Sequence, residues 1–172
     1  HSVTEEFYKT EKNFNTFFES LKKVNLPKIW ILPNNDAGSS VIKSNILKKR
    51  TNDIFIFDNI NREKYLNILK HASCIVGNSS SGIIEAPTFK VPCVNVGRRQ
   101  NKRLRAKNVI DIMTYDKDKI AQAINKAISI KFKKSIHNIK NPYGDGKSSN
   151  KIVEHLLNTK IDKDLFFKEI TY

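Results

Sequence analysis

The sequence predicts a doubly wound α/β fold built on a parallel sheet. Three observations carry that expectation. Short apolar runs of strand length alternate with segments of helical periodicity along the chain. The runs are continuous rather than alternating, as strands are when helices cover both faces. At 172 residues and 39% hydrophobic content, the chain has the length of about one domain and enough apolar side chains for a core of its own.

The elements follow in order. Thr4-Glu5-Glu6 reads as a cap with acid in the first turn, and Phe14, Phe17, Phe18 and Leu21 fall at i, i+3, i+4 and i+7, which predicts an amphipathic helix over 4–24. Pro27 ends it. Lys28 to Leu32 is a strand, closed by the turn Pro33-Asn34-Asn35-Asp36-Ala37-Gly38. A helix over about 39–49 leads to the strand Ile54-Phe55-Ile56-Phe57. A third helix, through Tyr65, Ile68 and Leu69, leads to the strand Cys74-Ile75-Val76. After Ser79-Ser80-Ser81-Gly82 comes a short helix from Ile83 to about Phe89, then strands at Pro92–Val96 and Val109–Ile112. Asp116 caps a helix with Ile120, Ile124, Ala127 and Ile128 on one face. Residues 131–142 are basic and poorly patterned. Past Tyr143-Gly144-Asp145-Gly146, a last helix holds Ile152, Val153, Leu156 and Leu157. One domain over 1–172 is expected, with 161–172 as an apolar tail helix (Leu165, Phe166, Phe167, Ile170) that has no obvious place in the sheet.

The charge narrows the partner classes. Lys plus Arg is 31 and Asp plus Glu is 17, giving +14, so anionic ligands are the default. Most of the excess is lysine, which also populates solvated faces. The arginines are different: four of the six, Arg98, Arg99, Arg103 and Arg105, fall within eight residues, where a planar fork suits phosphate or carboxylate. No run approaches the ~18 apolar residues of a membrane span, and no leader pattern opens the chain, so a cytoplasmic protein is expected. Cys74 and Cys93 lie in apolar runs without a CxxC pairing, as buried thiols of a reducing compartment do. The four histidines show no metal-ligand spacing with each other or with Cys, so a metal site is not expected; no cofactor is expected either. His71 closes a helix, where its charge suits the dipole.

The segment Cys74-Ile75-Val76-Gly77-Asn78-Ser79-Ser80-Ser81-Gly82-Ile83-Ile84-Glu85-Ala86-Pro87 carries the most chemistry. A strand that runs into hydroxyl residues and then a helix sets free amides at the carboxyl edge of a parallel sheet, where phosphate binds. Glu85, about one turn on, is placed to accept hydrogen bonds from sugar hydroxyls. The same spacing also describes an ordinary turn in which Ser caps the helix. No GK[ST] follows, so it is not a Walker loop.

With GNSSSGIIEAP, VPCVNVGRRQ and RLRAKNVIDI, the run 71–112 resembles the carboxyl-terminal half of the hydrolysing UDP-N-acetylglucosamine 2-epimerases. His1-Ser2-Val3-Thr4 is similar to that family's His-Pro-Val-Thr, with Ser2 in place of Pro. Leu32 to Ser39 is similar to its Pro-Asn-x-Asp-Ala-Gly-Ser, and Tyr143-Gly144-Asp145-Gly146 also recurs there. The resemblance implies a Rossmann-like domain forming one half, the carboxyl-terminal one, of a GT-B fold, with the amino-terminal Rossmann domain as the missing partner. It also implies that this half holds UDP. Ser79 and Ser80 would contact the diphosphate, Glu85 the ribose, Arg99 the nucleotide end and Asn34 the nucleotide pocket. Asn34 is otherwise read as a turn residue. His1 would stand by the nucleotide and the reacting sugar, and imidazole suits proton transfer near neutral pH.

The implied reaction removes the proton at sugar C2 with anti elimination of UDP, then adds water to the glycal to release N-acetylmannosamine, a usual precursor of sialic acid and related polysaccharides. That chemistry needs acids and bases around the sugar and neutralisation of the departing diphosphate. The second is well represented here and the first is not, so the chain alone is expected to be inactive. Homo-oligomerisation is left open. A non-hydrolysing epimerase and a GT-B glycosyltransferase share the implied nucleotide site. A basic nucleic-acid module is the rival of another class: Arg98 to Lys107 holds six basic residues in ten, yet no aromatic lies between Phe89 and Tyr115 to stack on bases.

Overall fold

In the computed structural model, which describes residues 1–162 and Leu165, every strand pairing is parallel. β1 (Lys28–Ile31) pairs with β2 (Ile54–Phe57), with Lys28 opposite Ile54 and Ile31 opposite Phe57. β3 (Ile75–Gly77), β4 (Cys93–Val96) and β5 (Val109–Ile112) form a second ladder with β4 in the middle. The parallel α/β class is the expected one. The ladder, however, comes in two pieces, because β1 and β3 do not pair and a cavity of about 760 Å³ lies between them.

Among the described residues there are seven α-helices, α1 (Thr10–Lys22), α2 (Ser39–Lys48), α3 (Arg62–His71), α4 (Ser81–Ile84), α5 (Lys117–Ile128), α6 (Ile130–Ser135) and α7 (Ser148–Asn158), of which α2, α3 and α4 connect strands. The helix expected from residue 4 starts later. A 3-10 helix covers Thr4–Lys9, and Glu6 leaves helical geometry at φ −113°, ψ 21° before α1 begins. Phe14, Phe18 and Leu21 are buried as the periodicity requires, and Trp30 of β1 packs against Phe14 and Phe17 at ring separations of 5.8 Å. Asp116 caps α5, its carboxylate accepting from the amides of Asp118 at 2.9 Å and Lys119 at 3.0 Å. These amides, Lys119's first, hold its carboxyl below the usual range. Ile120, Ile124 and Ala127 then pack onto Val94 and Val96.

Two expectations are corrected here. The stretch 131–142 was expected without pattern, yet α6 occupies its start, nucleated by Ser129, whose hydroxyl accepts from the Phe132 amide at 3.2 Å. Helical cover on both faces holds only for β4, buried at all four positions. On β1 and β2, alternation turns Trp30, Ile54 and Ile56 toward α1 and α2, while Ile29, Phe55 and Phe57 on the other face stay exposed at 49%, 49% and 42%.

His1–Pro142 forms one compact unit, and the residues from Tyr143 on form another. In the second unit α7 carries Ile152, Val153, Leu156 and Leu157, all exposed. Of the expected tail helix, only Ile161, Asp162 and Leu165 fall within the described residues. Both cysteines are free, and burial pushes the Cys74 thiol up to about 11 and the Cys93 thiol up to about 12.

Candidate functional site

β3 ends at Gly77, whose φ of +132° lies where glycine is favoured, and the chain turns there into Asn78, Ser79 and Ser80. The helix expected over 83–89 is broken. α4 lasts four residues and a 3-10 turn, Ala86–Phe89, follows with Pro87 inside it, since proline offers no N–H to continue an α-helix. So short a helix contributes little macrodipole, so the dipole expected at this corner from the sequence is largely missing. The Ser79 hydroxyl accepts from the Ser81 amide at 3.3 Å, a local turn contact of the capping kind.

Glu85 sits at the junction of α4 and the 3-10 turn, and its side chain is 19% exposed. One carboxylate oxygen is paired with Arg62, the first residue of α3. The other accepts from the Ser81 hydroxyl at 2.5 Å, and that hydroxyl also meets the Tyr65 phenol. Burial raises the Tyr65 phenol's pKa, against the opposing effect of its bond to Ser81. A carboxylate offers about four lone-pair sites, so this one retains acceptor capacity toward a sugar hydroxyl.

The arginine cluster divides by role. β4 leaves the sheet through Gly97, at φ +82°, where a Cβ would come within 3.1 Å of the Tyr115 hydroxyl. Arg99 then donates from Nη1 to the Asn78 carbonyl at 3.2 Å, and Gln100 donates from Nε2 to the same oxygen at 2.9 Å. Arg105 turns inward: Nε lies 2.8 Å from Asp111, Nη1 donates to the Arg103 carbonyl at 2.6 Å, and Nη2 donates to the Gln100 carbonyl at 3.0 Å. Arg105 therefore secures the loop, while Arg98 and Arg103 are exposed on its outside.

Three expected residues, His1, Asn34 and Ser79, line the cavity between β1 and β3. Ser80, Glu85 and Arg99 lie outside its lining. Ser80 is adjacent to Ser79, Glu85 is linked through Ser81, and Arg99 is linked through Asn78. Nothing in the sequence sets Asn78 apart from the serines that follow it. Its side chain pairs with His1 in both directions, and only its place at a strand exit beside the serines pointed to it. Among the described lining residues, Glu6 is the one carboxylate, accepting from Asn13 Nδ2 at 3.4 Å. Among the described residues, no group of three His, Cys, Asp or Glu side chains is placed to hold a metal ion, and no helix is long and apolar enough to cross a membrane.

The family model for UDP-N-acetylglucosamine 2-epimerase matches residues 1–157. The chain belongs to that family. A GDP/UDP-N,N'-diacetylbacillosamine 2-epimerase (hydrolyzing) of Campylobacter jejuni is 39% identical over 167 residues, 94% of this chain and 43% of that protein. A UDP-N-acetylglucosamine 2-epimerase of Neisseria meningitidis is 38% identical over 130 residues, 76% of this chain and 34% of that protein. Among solved structures, the Methanocaldococcus jannaschii UDP-GlcNAc 2-epimerase in complex with UDP-GlcNAc and UDP superposes with a TM-score of 0.68 at 23% identity, over 88% of this chain and 41% of that one. This epimerase-family chain thus spans about two fifths of the Campylobacter and Methanocaldococcus proteins. The fold is the parallel α/β, Rossmann-like architecture of one half of a GT-B fold.

Proposed function

We propose that this chain is the UDP-holding part of a hydrolysing 2-epimerase that acts on a UDP-linked 2-acetamido sugar. One observation carries the reading. In a member of this family, His1, Asn34 and Ser79 line one cavity that runs along β1 and β3, Asn34 and Ser79 lying just past the carboxyl ends of those strands, with Arg99 fastened to the adjacent Asn78. In this reading the Ser79 and Ser80 hydroxyls donate to diphosphate oxygens, and Arg99 turns its unused guanidinium donors to the same group as a planar fork. Glu85 accepts from the ribose hydroxyls, and Asn34 closes the nucleotide end. His1 stands nearest the sugar. When the C2 proton is removed and the C1–O bond to UDP breaks, the growing diphosphate charge falls among these donors. Water adding to the glycal then gives the 2-epimeric sugar and UDP, N-acetylmannosamine in the case of UDP-N-acetylglucosamine. The hydrolysing outcome is supported by the 39% identity to a relative named for it. The enzyme would work in the cytoplasm, where nucleotide sugars are made, with the residues around the sugar supplied by the rest of the protein.

Isothermal calorimetry on the 172-residue chain tests the nucleotide reading. UDP should bind at least about tenfold more tightly than uridine, because charge-assisted hydrogen bonds to the diphosphate each contribute roughly 1.5–3 kcal/mol. Equal affinity for the two would overturn it.

A further inference from the structure

A buried carboxamide is costly unless both of its ends are paired. Asn78 is 6% exposed, and both ends meet a single residue, 77 positions away in the chain. The His1 main-chain nitrogen donates to Oδ1 at 2.9 Å, and Nδ2 donates to the His1 carbonyl at 2.8 Å. The side chain so copies a rung of backbone pairing and holds the first residue against the exit of β3. On its main-chain side, the Asn78 carbonyl accepts from Arg99 at 3.2 Å and from Gln100 at 2.9 Å. Three distant segments meet at this one residue, and each carries a residue placed above at the nucleotide: His1, Ser79 and Arg99.

We infer that Asn78 is a positioning residue: its carboxamide fixes His1, and its carbonyl fixes the Arg99 loop, so that both address the same ligand. The inference rests on the UDP-site reading. The His1 ring's Nδ1 is buried without a hydrogen-bond partner among the described residues, and this residue is anchored by the bonds its backbone makes with the Asn78 carboxamide. Only a carboxamide of this length serves. Aspartate lacks the donor that meets the His1 carbonyl, and serine cannot span both atoms. Gln100, 2% exposed, is the counterpart on the other side, itself tied to Arg105 through its carbonyl.

Two readouts on the 172-residue chain separate this inference from the reading beneath it. The first needs no ligand. In the wild-type chain the His1 ring Cε1–H resonance should stand apart from its unstructured position, and in Asn78→Ala it should move to that position while the amides of β4 and α5 stay where they are. The second is a double-mutant cycle on UDP affinity. Asn78→Ala should weaken UDP by about tenfold, and His1→Ala should cost less than about twofold further in that background although it costs several-fold alone, because contacting residues are non-additive. An unmoved His1 resonance, an Asn78→Ala affinity equal to wild type, or losses that simply multiply would each overturn the role. If the wild-type chain binds no UDP, the nucleotide reading fails, and the ring resonance still decides whether Asn78 tethers His1. Should Asn78→Ala not fold, Asn78→Asp keeps the acceptor and drops the donor; the resonance should then shift in the same direction by less, and no shift counts against the tether.

Discussion

Arg99 differs from its neighbours by what its guanidinium leaves unused. Of five donors, one is given to the carbonyl of Asn78, the residue that precedes Ser79 and Ser80 in the turn out of β3. Arg99→Lys keeps the charge but loses the planar geometry, and UDP affinity measured by calorimetry should fall by about tenfold, the scale of one charge-assisted hydrogen bond. Lys107→Ala, on the exposed outer part of the same loop, should change it by less than about twofold, as a solvated charge does. Equal losses would mean a diffuse field rather than a site. The density of arginines was legible in the sequence, but their division was not. Arg105 is set apart only by Asp111 and the Gln100 carbonyl, partners that the sheet brings to it. Asn78 was hidden for a similar reason, because an asparagine beside a glycine reads as a turn residue until the fold shows it buried. Glu85 was legible as a carboxylate near the serines, whereas its pairing with Arg62, 23 positions earlier, depends on how α3 packs.

Elements were legible where apolar period and length agreed. β2, β5, α2 and α5 lie where the pattern puts them, and Asp116 caps as its chemistry suggests. α4 was less legible, because the apolar pair Ile83-Ile84 suggests a helix, while Pro87 and the need for close packing cut it short. That packing runs through Gly82. It is buried against β4, and a Cβ there would overlap the Cys93 sulfur while lying 3.4 Å from Ile75 Cγ2. Gly82→Ala should therefore destabilise the fold by about 1–3 kcal/mol, the usual cost of overpacking a tight core. Removing the sulfur makes room for the added methyl, so Cys93→Ala in the same chain should return at least about half of that loss, a coupling of the size seen between touching residues. Denaturant melts of the two single variants and the double decide it. A Gly82→Ala midpoint equal to wild type, or losses that add, would show that the helix does not sit on the strand as described.

At the scale of the molecule, the strand runs that predict one continuous sheet form two ladders, with the cavity between β1 and β3 lined by three of the six candidate residues, His1, Asn34 and Ser79. Which strands pair depends on distant packing that apolar runs do not encode, so this was beyond what the sequence could reveal. The distribution of chemistry around that cavity leads to the last prediction. In the proposed reading, Ser79, Ser80 and Arg99 serve the departing diphosphate and Glu85 serves the ribose. Among the described lining residues, the only carboxylate is Glu6, on the 3-10 helix rather than at a strand end, and already accepting from Asn13. Expelling UDP from a 2-acetamido sugar needs a positioned base at C2 in addition to a stabilised leaving group, and holding both around the ring is what makes the step effectively intramolecular. The 172-residue chain should therefore bind UDP yet leave UDP-N-acetylglucosamine unchanged. Proton NMR in deuterated buffer follows both possible outcomes, exchange at C2 and appearance of free N-acetylmannosamine. Turnover by this chain at ~1 per second, an ordinary enzymatic rate, would place a competent base within these residues, and Glu6 and His1 are the first to substitute in that event. C2 exchange without sugar release would instead assign the base to this chain and the completion of leaving-group departure to the rest of the protein.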